Sequence, residues 1–123
     1  MNDYSKYSID LKVKFKPLEI IDVQKLIANS TKKWQNLSLC KVNDSVVRLA
    51  VIEGEFHWHK HEMEDEFFFV IEGFLLIDLE DKTIKLSTDQ GFVVPKGTIH
   101  RTRAPSRTSV LLVEKSTVKP TGD

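Results

Sequence analysis

Apolar and polar residues change rhythm twice along this chain. Ile9, Leu11, Val13 and Phe15 alternate with charged or polar neighbours, which predicts a strand, and Pro17 ends it. Between Glu19 and Ser30 the apolar residues Ile20, Val23, Leu26 and Ile27 recur at three-to-four spacing, which predicts a short helix with Asp22 as its cap. From Leu37 onward the rhythm is that of short strands: Leu37 to Val42, Val46 to Trp58, Glu66 to Ile71, Leu75 to Leu79, Thr83 to Leu86, Phe92 to Val94, Ile99 to Ala104 and Val110 to Lys115. Turn signals separate them, at Asn43-Asp44, Glu72-Gly73, Asp81-Lys82, Asp89-Gln90-Gly91, Lys96-Gly97 and Pro105-Ser106. Short strands at such spacing predict an all-β sandwich or closed barrel. Residues 1–35 are expected to form a strand and helix packing on the barrel built by residues 36–123, as one domain.

The faces of these strands carry a second expectation. In Phe67 to Ile71 both parities are apolar, whereas a strand with one solvated face alternates. Phe56 and Trp58 share one parity and His57, His59 and His61 the other, so the histidines are expected to face inward and the two aromatics outward. The N-terminal helix or a second subunit would cover the outer apolar face, and a homodimer is the expected arrangement.

Composition narrows the classes. With 123 residues, 41% of them hydrophobic, the chain can bury a core without a structural metal. Its 18 basic and 18 acidic side chains balance, and no basic cluster interleaves with aromatics, so no nucleic-acid partner is expected. A single short helix cannot make a helix-turn-helix. Cys40 is the only cysteine, which excludes an internal disulfide and suits a reducing compartment. No apolar run approaches membrane-spanning length, and the polar start MNDYSKYSID lacks the order of a signal peptide. A soluble cytoplasmic protein is the expectation.

Candidate chemistry concentrates in Trp58 to Gly73, WHKHEMEDEFFFVIEG. His59 and His61 point to the same side of an extended strand, Lys60 points away, and Glu66 follows far enough on to return alongside with an oxygen ligand. Alone, a His-x-His pair is more often a surface feature than an ion site. A third histidine, His100, follows the Pro95-Lys96-Gly97 turn, so three of the four histidines sit in two strand-and-turn settings. His57 shares the inward parity and is the one visible candidate for an acid or base beside such a site; the alternative is a histidine at the strand's solvated start. Arg101 and Arg103 are expected to face solvent or a partner subunit, with an anionic substrate as the alternative if the strand bulges. Glu62, Glu64 and Asp65 read as a solvated loop. No Ser-His-Asp order or glycine-rich phosphate loop is present.

Two ordered motifs give a resemblance. Gly54, His59, His61, Glu66 and Gly73 match the first cupin motif, with four residues instead of five after the first glycine. Gly91, Pro95, Gly97 and His100 match the second, with a shorter spacing after the glycine and Ala104 where that motif has asparagine. Between Val46 and Glu114 the chain resembles a small single-domain cupin of the kind called mannose-6-phosphate isomerase-like. The resemblance implies a jelly-roll β-barrel holding an ion on His59, His61, Glu66 and His100. Three imidazoles and a carboxylate suit a divalent ion such as Fe, Mn, Ni, Cu, Co or Zn, with up to two positions left for water or substrate. Two functions follow as expectations. One is a metal-dependent enzyme acting on a small, sugar-like or other organic substrate by isomerisation or oxygen chemistry. The other is a cupin that binds a small ligand or metal without turnover.

Overall fold

The computed structural model describes residues 4–123. In chain order the elements are β1 (Ser8–Asp10), α1 (Val23–Asn29), β2 (Trp34–Val42), β3 (Ser45–Glu55), β4 (Glu66–Glu72), β5 (Leu75–Leu79), β6 (Thr83–Leu86), β7 (Gly91–Val94) and β8 (His100–Lys115). They form one eight-stranded sheet in the order β1-β2-β3-β8-β4-β7, with β5 pairing β8 and β6 pairing β5. The fold is mostly β, as expected. Its sheet is not closed into a ring of hydrogen-bonded strands, however, because the path ends at β1 and β7 and β5–β6 branches from β8.

That branching corrects one expected turn. Pro105-Ser106 does not end a strand; β8 runs through it and changes partner. Residues 100–103 pair with β5, while residues 109–114 pair with β4, and β3 lies along the opposite edge of both stretches. Pro105, Ser106 and Arg107 sit exposed between the two sets of pairings, where a residue lacking an N–H removes no ladder bond. Gly54, at φ +113°, occupies the matching register shift on β3. Such a backbone angle strains any residue with a Cβ, and it lets β3 keep pace with the bend in β8.

Side-chain alternation divides the core between two faces. Trp34, Ala50, Ile52, Phe68, Val70, Val110 and Leu112 point inward and form the larger cluster. Their sequence neighbours Leu37, Leu39, Leu49 and Val51 point outward into a second cluster. Phe15, Ile21, Val23, Leu26 and Ile27 of the N-terminal segment cover that outer cluster. Each such leucine or valine taken from water contributes about 1.5–3 kcal/mol, which is what holds a seven-residue helix in place. The Asp22 carboxylate caps α1 by accepting from Lys25 N at 3.1 Å, as the sequence predicts. Ile20, read as part of the helix's apolar face, lies before the helix and is 91% exposed; Ile21 takes the core contact.

The N-terminal strand is shorter than its alternation suggests. Only Ser8–Asp10 pairs with β2, in parallel. Asp10 Oδ1 then accepts from Lys12 N, which turns the chain out of the ladder, and the backbone reattaches through Lys14 N and Phe15 N to Ser38 O and Leu39 O. Residues 1–3, part of the polar start, lie outside the described residues. The apolar pattern of Phe67 to Ile71 is explained only in part. Phe68 and Val70 are inward and Ile71 joins the covered outer cluster, but Phe67 and its cross-strand partner Val93 remain exposed at 37% and 50%. Among the described residues no helix is long and apolar enough to cross a membrane.

Candidate metal centre

Two loop segments bring the histidines together, and backbone hydrogen bonds hold them there. His59 N donates to His100 O and His100 N to His59 O, both at 2.9 Å, and Gly97 N donates to His61 O at 2.7 Å. The Pro95-Lys96-Gly97 turn is closed by Thr98 N donating to Pro95 O, with Gly97 at φ +78°. This turn delivers His100 opposite His59, with ring centroids 4.4 Å apart. Glu66 opens β4 and reaches the same point from across the sheet. The ligand atoms of His59, His61, Glu66 and His100 all lie within 4.8 Å of one another, and all but His59 are fully buried.

Hydrogen bonds also orient the rings. His59 Nδ1 donates to His57 O at 3.0 Å, so its Nε2 keeps a lone pair, while His100 Nδ1 lies 2.9 Å from Thr98 O and its Nε2 3.1 Å from Glu66 Oε1. His61 has no hydrogen-bond partner for either ring nitrogen among the described residues, although Nε2 lies 3.1 Å from Glu66 Oε1. Three imidazoles, one with a free nitrogen, one with an orphaned buried nitrogen and one already on the carboxylate, converge on Glu66 in a donor set that fits a divalent metal ion.

The electrostatics agree. Burial, and then the neighbouring His100 ring, push His59 down to about 4, so its imidazole is neutral at pH 7. Burial opposes ionisation of Glu66, but the His100 and His61 rings together hold it well below the usual carboxylate range. Burial opposes charge on His61 too, and the Glu66 carboxylate overrides it to raise this histidine above its ordinary value. The neutral His59 imidazole beside the ionised Glu66 is the state a cation requires, whereas His61 must give up the proton that Glu66 favours when a cation binds.

His57, the proposed acid or base, stands at the edge of this cluster with its ring centroid 5.3 Å from that of His59. Its Nε2 lies 2.5 Å from Thr121 O and must donate to that carbonyl, which leaves Nδ1 buried and unpartnered among the described residues. The parity argument fails beside it. Phe56, expected outward, is 7% exposed and lines the inner cavity, because β3 ends at Glu55 and the irregular chain beyond no longer alternates. Trp58 does face outward, 46% exposed, with the Arg101 guanidinium 5.2 Å over its ring.

Arg101 and Arg103 lie on the face opposite His100, partly exposed, and are tied down by Asp78. Both Nε atoms donate to Asp78 Oδ2 and Arg103 Nη2 donates to Asp78 Oδ1, while Thr83 supplies a further donor. The acidic loop is not simply solvated either. Asp65 Oδ1 accepts from Lys96 N, Glu64 Oε2 from Thr117 Oγ1, and Glu62 N donates to Asp123 Oδ2. The C-terminal stretch thus lies over the site, with Pro120 in the cavity lining and Gly122 so close to His59 that a Cβ would meet it at 2.6 Å.

Sequence reasoning missed the groups behind the ligands. Glu114 is in register with Glu66 across β4 and β8 and is 3% exposed. Arg48, also buried, places Nε 2.7 Å from Glu114 Oε1 and donates from Nη1 to Ser38 Oγ. Burial first, and the Glu66 carboxyl second, push Glu114 up to about 9. The signal is present: Arg48 interrupts the apolar run Val46–Ile52 and Glu114 ends the run Val110–Val113, both at positions facing inward. A cavity continues inward from the ligands, lined by Trp34, Asn36, Phe56, Phe68, Thr102 and Glu114 among others, with about 40 Å³ open to water-sized centres.

Comparison with known proteins places this geometry. The Cupin domain family matches residues 45–114. An uncharacterized protein of Bacillus subtilis, YdbB, is 52% identical over 90 residues, covering 72% of this chain and 80% of that protein. The crystal structure of a cupin-2 domain protein from Shewanella frigidimarina superposes with a TM-score of 0.75 at 31% identity, covering 78% of this chain and 94% of that one. A Neisseria meningitidis protein does so with a TM-score of 0.71 at 26% identity, over 79% and 99% of the two chains.

Proposed function

This chain belongs to the cupin domain family, and from that premise we propose that it is a small metal-dependent enzyme whose ion is held by His59, His61, Glu66 and His100. The observation that carries the reading is the convergence of four ligand atoms within 4.8 Å, with His61 buried and otherwise unpartnered. A divalent ion bound there supplies Lewis-acid or redox chemistry to a small organic substrate, of the isomerisation or oxygen-dependent kind. The protein's own contributions are distinct. Thr98 O and His57 O orient the His100 and His59 rings through Nδ1, and Trp34, Phe56 and Phe68 give the inner cavity apolar walls. His57 Nδ1, unprotonated while Nε2 donates to Thr121 O, is the proton acceptor of this site. The exposed Phe67–Val93 pair supports assembly as a homodimer.

One observation favours the non-catalytic alternative. The stretch from Val118 to Gly122 lies against the site and His57 is tied to it through Thr121, an arrangement that would also suit retention of a ligand without turnover. The first test is elemental analysis of protein purified without added metal or chelator, beside the His61→Ala variant. The reading expects near-stoichiometric transition metal in the native chain and at least a tenfold lower content in the variant. Native protein that stays metal-free after reconstitution overturns it.

A further inference from the structure

The inner cavity has polar groups that the metal ligands do not use. Asn36 Oδ1 and Glu114 Oε2 are buried and without a hydrogen-bond partner among the described residues, and both residues line the cavity. A buried polar atom left unpaired costs free energy comparable to a lost hydrogen bond, so two in one cavity point to a ligand that completes them. Their chemistry defines that ligand. An amide oxygen only accepts, so the ligand must present a donor to Asn36. A carboxyl accepts in either protonation state and donates when protonated; a hydroxyl, which does both, matches Glu114 in either.

Charge excludes the obvious competitor. No lysine or arginine lines the cavity, and the nearest guanidinium, Arg48, is engaged by Glu114 Oε1 and Ser38 Oγ. In metal-depleted protein a carboxylate-bearing ligand would meet Glu66 and Glu114 with no cation in the cavity lining to receive it. The remaining walls are Trp34, Phe56, Phe68 and aliphatic side chains, surfaces suited to C–H faces.

We propose that this cavity binds a small uncharged molecule carrying at least two hydroxyl groups on a carbon frame, with one hydroxyl on Asn36 Oδ1 and one on Glu114 Oε2. The inference rests on the small-ligand part of the reading above and names its substrate class. Asn36 and Glu114 are its specificity-determining residues, and neither belongs to the ligand set of the ion.

Trp34 lines the cavity and Trp58 is the other tryptophan, so the Trp58→Phe variant turns Trp34 fluorescence into a reporter of occupancy. Three probes of one chain length separate the possibilities: threitol, 1,4-butanediol and succinate. In metal-depleted protein threitol should give a saturable change, butanediol one at least tenfold weaker, and succinate one weaker than threitol. Asn36→Ala and the nearly isosteric Asn36→Leu should each weaken threitol binding at least fivefold while leaving the thermal midpoint and metal content unchanged. A purely structural Asn36 would lower the midpoint instead. The two substitutions guard against a folding defect in either. The proposal is overturned if succinate binds as tightly as threitol, if threitol gives no saturable change, or if the folded Asn36 variants bind threitol as the parent does. Metal content measured on the same preparations before depletion separates the two readings. Threitol selectivity in protein that takes up no metal keeps this inference and removes the metal centre; a chain that holds stoichiometric metal but prefers succinate after depletion does the reverse.

Discussion

Two clusters of charged and polar side chains in this molecule are built from the same materials to opposite ends. Around Asp78, on β5, both carboxylate oxygens are saturated: Arg101, Arg103 and Thr83 all donate to it, at 2.5–2.8 Å. Around Glu66 the accounts stay open. His61 lacks a hydrogen-bond partner, Glu114 has one oxygen unpaired, Asn36 has another, and three rings converge with Glu66 on one point. A closed cluster has no free valence to offer and serves to pin β5 to β8. An open one, kept buried at a cost, is where something else binds.

The largest expected contrast is in metal content. His61→Ala should reduce bound metal at least tenfold, whereas Asp78→Asn should leave it unchanged, as elemental analysis of both variants would show. An equal loss in the two would mean that the Asp78 cluster supports the site and the separation is false. Next in size is Arg48→Met. It removes the buried guanidinium that contacts Glu114 Oε1 and donates to Ser38 Oγ, leaving both acceptors without it, and chemical denaturation should register a loss of about 2 kcal/mol. Replacing Arg48 and Glu114 together by methionine and leucine should recover most of that loss.

Asp78→Asn is expected to cost about 2 kcal/mol at pH 7, since charge-assisted bonds to two guanidiniums are lost while neutral ones remain. The pH dependence has a definite sign. Arg103 beside Asp78 holds its carboxyl well below the ordinary value of 3.8, against the opposing effect of burial. A group with a depressed folded pKa contributes stability that is fully present above its unfolded value and is lost as pH falls below it. The difference in unfolding free energy between parent and variant should therefore be flat from pH 7 to about 5 and shrink below about 4. A difference that grows on acidification would sink the assignment. The smallest effect should come from Glu114→Gln in metal-depleted protein. Because burial and Glu66 push Glu114 up to about 9, the neutral amide resembles the group already present at pH 7, and a change of about 1 kcal/mol or less is expected in denaturant melts.

The sites legible in the sequence were those written in local spacing. His59-x-His61 declares one face, Pro95-x-Gly97 declares a turn, and Leu75–Leu79 and Thr83–Leu86 are strands at the positions their patterns predict. Errors arose where local pattern stops carrying information. Phe56 was assigned outward by extending the parity of β3 past Glu55, where the strand ends. Pro105-Ser106 was read as a strand break because a proline usually is one, yet it falls where β8 exchanges β5 for β4 and no ladder bond is required. Arg101 and Arg103 were correctly placed opposite His100, but their partner Asp78 lies on another strand, and no spacing between 78 and 101 announces it.

Taken alone, the sequence determined that this chain is a mostly β domain with a short capped helix, and which four side chains are suited to one ion, because strand alternation and turn chemistry are local properties. Only the tertiary structure decided what surrounds them. The facing of Glu114 on Glu66, the approach of Arg48 to Glu114 and the unpaired Asn36 oxygen arise from cross-strand register between segments far apart in the chain. Register is set by the packing of both sheet faces at once, so the pocket's polarity, and with it what the pocket can hold, exists only in the folded molecule.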